Sequence, residues 1–282
     1  HKTDRGDVRL MMRFDIMTLF PGLVDTVLSE SIIGRARKSG AIEVNTYNIR
    51  DYSEDKNRRV DDTPYGGGKG MLMAAPPIYN CYRAVVDSAT DAAALRTHMI
   101  FMSPKGKVLT QKRALELSRE YDRLIILCGH YEGVDQRIID EIVDEEISIG
   151  DYVLTGGEIP ACILVDVVAR TVDGVLAAPE CFESESLSDG MLEYPQYTRP
   201  YEFHGVKVPD VLSDEYCDVC GRQMVVKKGK FGYFLAAALG ALARHFHHDG
   251  LCEGALRKAG AGKKVAEFAL LDDHLPPAHV AV

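Results

Sequence analysis

An α/β fold built on a mostly parallel sheet with helices on both faces is what this sequence predicts, and two observations carry it. Short apolar runs bounded by turn formers alternate with stretches whose apolar residues recur every three or four positions. The loops leaving the later strands are rich in glycine, proline and ligand-competent side chains, as expected beyond the carboxyl ends of such strands. In chain order, residues 14–19 read as a strand, and 23–39 as a helix stopped by Gly40. Residues 42–47 and 98–102 read as strands, 110–121 as a helix and 124–128 as a strand. The pattern closes with a helix over 134–142, a strand over 147–154 and a helix over 160–172 with Pro160 at its start.

Composition narrows the class. A chain of 282 residues with 46% hydrophobic content can bury a substantial core in one or two domains. No apolar run approaches the ~18 residues of a membrane span, and no apolar leader core is visible, so a cytoplasmic, non-membrane protein is expected. The seven cysteines are scattered and mostly in apolar segments, which suits reduced thiols. The net charge of −9 means that any nucleic-acid contact must rest on local positive charge. Lys56, Arg58 and Arg59, the neighbourhood of Arg170 and Arg199, and the stretch from Arg222 to Lys230 are the candidates, or else a solvated surface.

Three glycine-rich blocks carry the chemistry. Gly66-Gly67-Gly68-Lys69-Gly70 is not a phosphate loop, because Gly70 stands where Ser or Thr is required and Thr63 where the first glycine should be. It reads as a flexible hairpin or as a loop admitting a substrate base beside a cofactor. From Cys128 to Arg137, a strand opens through Gly129 onto His130, Tyr131 and Glu132. That is either a surface turn with a helix cap or a turn whose backbone holds a polar ligand at Gly129 and Tyr131, with no role assigned to His130. From Ile149 to Pro160, Gly156 and Gly157 allow a tight strand-to-helix turn or close backbone approach to an adenine edge and a methionine moiety. Physics alone suggests a nucleotide-type cofactor in a Rossmann-like crevice.

With Tyr194-Pro195-Gln196-Tyr197-Thr198-Arg199-Pro200 behind them, these blocks resemble the bacterial tRNA (guanine-N1)-methyltransferases of the SPOUT family over residues 13–212. The resemblance implies a deep trefoil knot around S-adenosylmethionine, formed by the segments around Ser103, Gly129 and Gly150. It implies cofactor contacts at Phe101, Met102, Ser103, Pro104, Gly129, Tyr131, Glu132, Ile149, Gly150, Asp151, Tyr152, Val153, Leu154, Gly156, Gly157 and Pro160. It also implies methylation of guanine 37 of tRNA next to the anticodon, magnesium in the reaction, and a homodimer with a shared active site. Methylating guanine N1 requires a base for the N1 proton and a group to stabilise charge on O6. The resemblance assigns the second role to Arg170 and the first to Glu185, before Ser186, where the family commonly has aspartate. No ligand cluster in the sequence marks a metal site.

The expected organisation is an extension over 1–11, a knotted cofactor domain over 12–176, a linker with the catalytic carboxylate over 177–200, and a C-terminal region over 201–282. That last region departs from the family after 212. Cys217 and Cys220 there resemble half of a zinc ribbon of bacterial type I topoisomerases. A structural zinc site needs four ligands, and His245, His247, His248 and Cys252 fit no standard spacing, so two free cysteines are the reading. Two further functions stand beside the enzyme: a knotted nucleic-acid-binding module without turnover, and a small-molecule methyltransferase of Rossmann type.

Overall fold

Period-two alternation sorts the strand residues onto two apolar faces, and each face is covered by its own helices. The computed structural model describes residues 11–88, 95–176, 196–209, 224–229 and 232–237. They fall into two units, one holding the described residues up to 176 and the other those from 196 onward.

The first unit begins β1 (Met12–Thr18), α1 (Pro21–Leu28), α2 (Ser31–Ser39), β2 (Ile42–Asn48) and a single 3-10 turn (Ile49–Tyr52). It continues with β3 (Asp61–Asp62), β4 (Leu72–Met73), α3 (Ala75–Asp87), β5 (Thr97–Val108) and α4 (Gln111–Glu120). It ends with β6 (Arg123–Cys128), α5 (Gln136–Ile142), β7 (Glu145–Ser148) and α6 (Glu158–Ala169). Five strands pair in the order β2-β1-β6-β5-β7, all parallel. Phe14, Ile16, Ile100, Met102, Leu124 and Ile126 bury one face under α1, α2, α4 and α6. Met17, Met99, Phe101, Ile125 and Leu127 bury the other under α3 and α5.

Towards the amino ends of the strands a polar network is sealed inside the apolar layers. Asp15 and Arg123 are both fully buried and ion-paired. Asp15 also accepts from Arg13 Nε at 2.9 Å and Asn45 Nδ2 at 3.0 Å, while Arg123 donates to the Val85 carbonyl at 2.6 Å. The charge of each partner is thereby compensated where water cannot do it.

Three sequence expectations are corrected. The expected helix over 23–39 breaks at Ser29–Ser31, where Ser31 takes φ +54° and a side chain on Gly34 would run into the Ser29 carbonyl. The expected strand over 147–154 stops at Ser148, whose hydroxyl turns inward to bond the Gly150 backbone, and Gly150 adopts φ +152°. The strand expected over 98–102 continues to Val108 after an excursion at 103–106, Met102 and Lys107 both standing opposite Ile147. The sequence reading assigns no element to α3, whose first turn holds two prolines.

In the second unit β8 (Glu202–Phe203) and β9 (Val206–Lys207) form a hairpin around His204 and Gly205, both at positive φ. A second antiparallel pair joins β10 (Met224–Gly229) to β11 (Gly232–Ala237). Cys217, Cys220, His245, His247, His248 and Cys252 lie outside the described residues. Among the described residues no helix is long and apolar enough to cross a membrane.

Candidate active site

Three neighbouring strands, β6, β5 and β7, supply the walls of a single crevice, β6 and β7 through the segments that end and follow them and β5 through the residues at its excursion. Residues 101–104 come from β5, 129–133 from β6, and 147–149 with 152–157 from β7 and its loop, closed by Pro160 of α6. Backbone contacts bind these segments together. Gly157 N–H donates to the Gly129 carbonyl at 2.8 Å, and His130 bridges Gly156 in antiparallel fashion. A side chain on Gly157 would stand 2.7 Å from the Cys128 Cα, so only glycine permits this approach.

The glycine-rich hairpin is fastened to the same crevice. β3 and β4 pair antiparallel, and Gly66, Gly67 and Gly68 between them all take positive φ. Its returning stem meets the β6 turn: Glu132 N–H donates to the Met71 carbonyl at 3.0 Å, and Met73 N–H to the Gly133 carbonyl at 2.9 Å. Gly70 lies against the Glu132 side chain, where a Cβ would meet Cγ at 2.3 Å. The hairpin tip carries Tyr65, which is fully exposed.

Of the residues singled out from sequence, Phe101, Met102, Ser103, Pro104, Gly129, Tyr131, Glu132, Ile149, Tyr152, Val153, Leu154, Gly156, Gly157 and Pro160 all line the crevice. Gly150 and Asp151 sit on its loop without lining it. Tyr131 takes φ +60°, a conformation costly for a bulky residue, and its hydroxyl accepts from Arg50 at 3.1 Å. Arg50 thus brings positive charge to the rim, while the nearby Arg58 is paired with Asp51. Arg170 caps the far end of α6, about 18 Å along the helix from its first turn. Glu185, and Glu183 and Asp189 beside it, lie outside the described residues.

The sequence reading missed the polar floor. His130, Gly133, Ile147, Ser148 and Thr155 also line the crevice. Behind it Glu158 is buried on the first turn of α6 and accepts from the buried Thr18 hydroxyl at 2.9 Å. Glu158 directly follows the Gly156-Gly157 pair, but nothing in the pattern distinguishes a buried glutamate from one serving a helix amino end. Burial pushes the Cys128 thiol well above its ordinary range and Cys162 up to about 11, with the Glu158 charge adding to both shifts. Neither thiol is a nucleophile at neutral pH.

An open parallel sheet with an apolar, glycine-walled crevice at its carboxyl edge has the arrangement in which α/β folds place their ligand sites. The family model described as tRNA (Guanine-1)-methyltransferase TrmD matches residues 12–218, and the chain belongs to that family. A tRNA (guanine-N(1)-)-methyltransferase of Ruminiclostridium cellulolyticum is 57% identical over 201 residues, covering 71% of this chain and 84% of that protein. The counterpart from Clostridioides difficile is 53% identical over 201 residues, covering 71% of this chain and 85% of that protein. The crystal structure of tRNA (m1G37) methyltransferase from Aquifex aeolicus superposes with a TM-score of 0.60 at 39% identity, covering 71% of this chain and 82% of that one.

Proposed function

We propose that this chain transfers a methyl group from S-adenosylmethionine to N1 of guanine 37 in tRNA. The observation that carries the reading is the convergence of segments from β5, β6 and β7 on one crevice, in a chain that belongs to this methyltransferase family. Residues 12–176 would form the knotted cofactor domain, 177–200 the linker that brings Glu185 to the substrate, and 201–282 the C-terminal region.

The crevice fits the cofactor chemically. Phe101, Ile149, Leu154 and Pro160 offer apolar walls, Ser103, Glu132 and Thr155 offer polar groups, and glycines bring backbone within reach. When bound there, S-adenosylmethionine supplies an electrophilic sulfonium methyl. Glu185 accepts the N1 proton as N1 takes the methyl, and Arg170 faces the negative charge that gathers on O6.

Arg170 lies a helix length from the crevice of its own chain, and a shared active site resolves that separation: a second copy's Arg170 would face this crevice. Phe20 just before α1, Leu23 and Val27 on it, and Ile159 and Ile163 on α6 are exposed apolar residues, suited to covering by such a copy. Among the described residues no cluster of three or more His, Cys, Asp or Glu builds a metal site, and no step is assigned to magnesium.

The test is transfer of label from S-adenosylmethionine, with magnesium present, to a tRNA transcript bearing guanine at positions 36 and 37. A transcript with adenine at 37 is the control. Label on the first transcript alone, falling at least about a hundredfold in Glu185→Gln, is the expected result. Cofactor binding without label on either transcript would overturn the assignment.

A further inference from the structure

Beneath the crevice two polar side chains face each other across a gap that a glycine keeps open. His130 Nδ1 is buried and without a hydrogen-bond partner, and it lies 3.9 Å from Glu158 Oε2. Glu158 gives its other oxygen to Thr18 at 2.9 Å, and Thr18 in turn accepts from Phe20 N–H at 2.9 Å, so the carboxylate is anchored on one side only. The imidazole is held in place as well: Phe20 tilts against it at 5.1 Å and Tyr131 meets it edge-on at 5.0 Å. A Cβ on Gly156 would stand 2.4 Å from Glu158 Oε2 and 2.6 Å from His130 Nδ1. Any other residue at 156 would therefore block the line between them.

A distance of 3.9 Å is too long for a hydrogen bond, yet about one ångström of closure would make a good one. The buried ring nitrogen has no partner where it stands, so it gains a hydrogen bond whenever the gap to the carboxylate closes. The two groups belong to two walls of the same crevice, the turn at 129–133 and the start of α6. A ligand touching both walls draws them together.

We propose that His130 and Glu158 are positioning residues for the methyl donor. Filling the crevice converts the gap into an Nδ1–H donating to Glu158 Oε2, which fastens the β6 turn to the first turn of α6. The ligand's identity rests on the function proposed above; the coupling itself rests on the geometry. Neither residue touches the reacting atoms. Their part is to hold the backbone of Gly129 and Tyr131 in the shape the ligand requires.

The test varies the donor at the Nδ1 position. In H130N the amide nitrogen takes the place of Nδ1, whereas in H130Q it takes the place of Nε2 and in H130A no donor is left. Titration of each full-length variant with S-adenosylmethionine by calorimetry should find H130N within about twofold of the unmodified protein. H130Q and H130A should bind roughly tenfold more weakly, the effect of about one charge-assisted hydrogen bond. H130Q keeps a side chain against Phe20 and so separates loss of the donor from loss of packing. In the unmodified protein, 15N spectra of labelled histidine should show the Nδ1 signal of His130 moving to the protonated, hydrogen-bonded position when S-adenosylmethionine is added. Equal affinities across the three variants, or an unmoved Nδ1 signal on a protein that binds the cofactor, would overturn this inference and leave the enzymatic reading intact. An unmodified protein that fails to bind S-adenosylmethionine would overturn both.

Discussion

The two ends of the same parallel sheet solve opposite problems. At the amino ends, polar groups are enclosed and answered: Asp15 and Arg123 pair inside the core, with Arg13, Asn45 and the Val85 carbonyl completing their contacts. At the carboxyl ends the chain is glycine-rich, Tyr131 is held at positive φ, and His130 Nδ1 is left without a partner. One end is arranged to hold itself, the other to leave contacts for something else. Stability and binding are thus concentrated at opposite edges, as the loops of α/β sheets allow.

Breaking the buried pair should have the largest effect. Arg123→Met leaves the Asp15 carboxylate buried with its closest countercharge gone, and should cost about 3–5 kcal/mol of unfolding free energy. Urea denaturation followed by circular dichroism measures it. A loss under about 1 kcal/mol would mean that Arg13 and Asn45 suffice, and would erase the distinction between the two edges.

Gly157→Ala tests the other edge. The new methyl would meet the Cys128 Cα at 2.7 Å and the Gly129 nitrogen at 2.8 Å, both backbone atoms that cannot swing aside. The expected stability cost is about 1–3 kcal/mol, from overpacking. The more telling readout is S-adenosylmethionine affinity, which should fall by at least about tenfold as the Gly157–Gly129 hydrogen bond is pushed apart. A variant that binds normally while losing stability would show that this contact belongs to the scaffold.

The scaffold was legible in the sequence wherever one period ran uninterrupted. β1 and β6 were found within a residue or two because their apolar runs are buried on both faces, and β2 because Ile42 and Val44 alternate towards one buried face. Errors fell where local backbone chemistry overrode pattern: the Ser148 hydroxyl ending β7, the crowding between Gly34 and Ser29 splitting a helix, and prolines opening α3. The crevice walls were named because glycine and aromatic residues in fixed order carry information even without periodicity. Its floor was not, because the burial of Glu158 depends on Thr18, 140 residues away in sequence. A pairing at that separation leaves no local trace.

A smaller, pH-dependent effect sharpens the account of the enclosed edge. Glu145, at the start of β7, is partly buried and accepts from Arg113 Nη2 at 2.7 Å, with His98 Nε2 3.0 Å away. Burial alone would push its carboxyl up, but the bonds from Arg113 and His98 outweigh burial and bring it below the ordinary value. A carboxylate lowered in the folded state adds stability that is fully present above its unfolded pKa of about 4.3. That stability is lost as pH falls through the lower folded value. Glu145→Gln should therefore be less stable than the unmodified protein by about 1 kcal/mol at pH 7. The difference should shrink towards zero as the pH is lowered past about 4, since both proteins then carry a neutral side chain at 145. Urea melts of the two proteins at a series of pH values decide it. A difference that stays constant with pH would mean that Glu145 contributes through shape rather than charge. The enclosed edge would then be held at β1 and β6 alone.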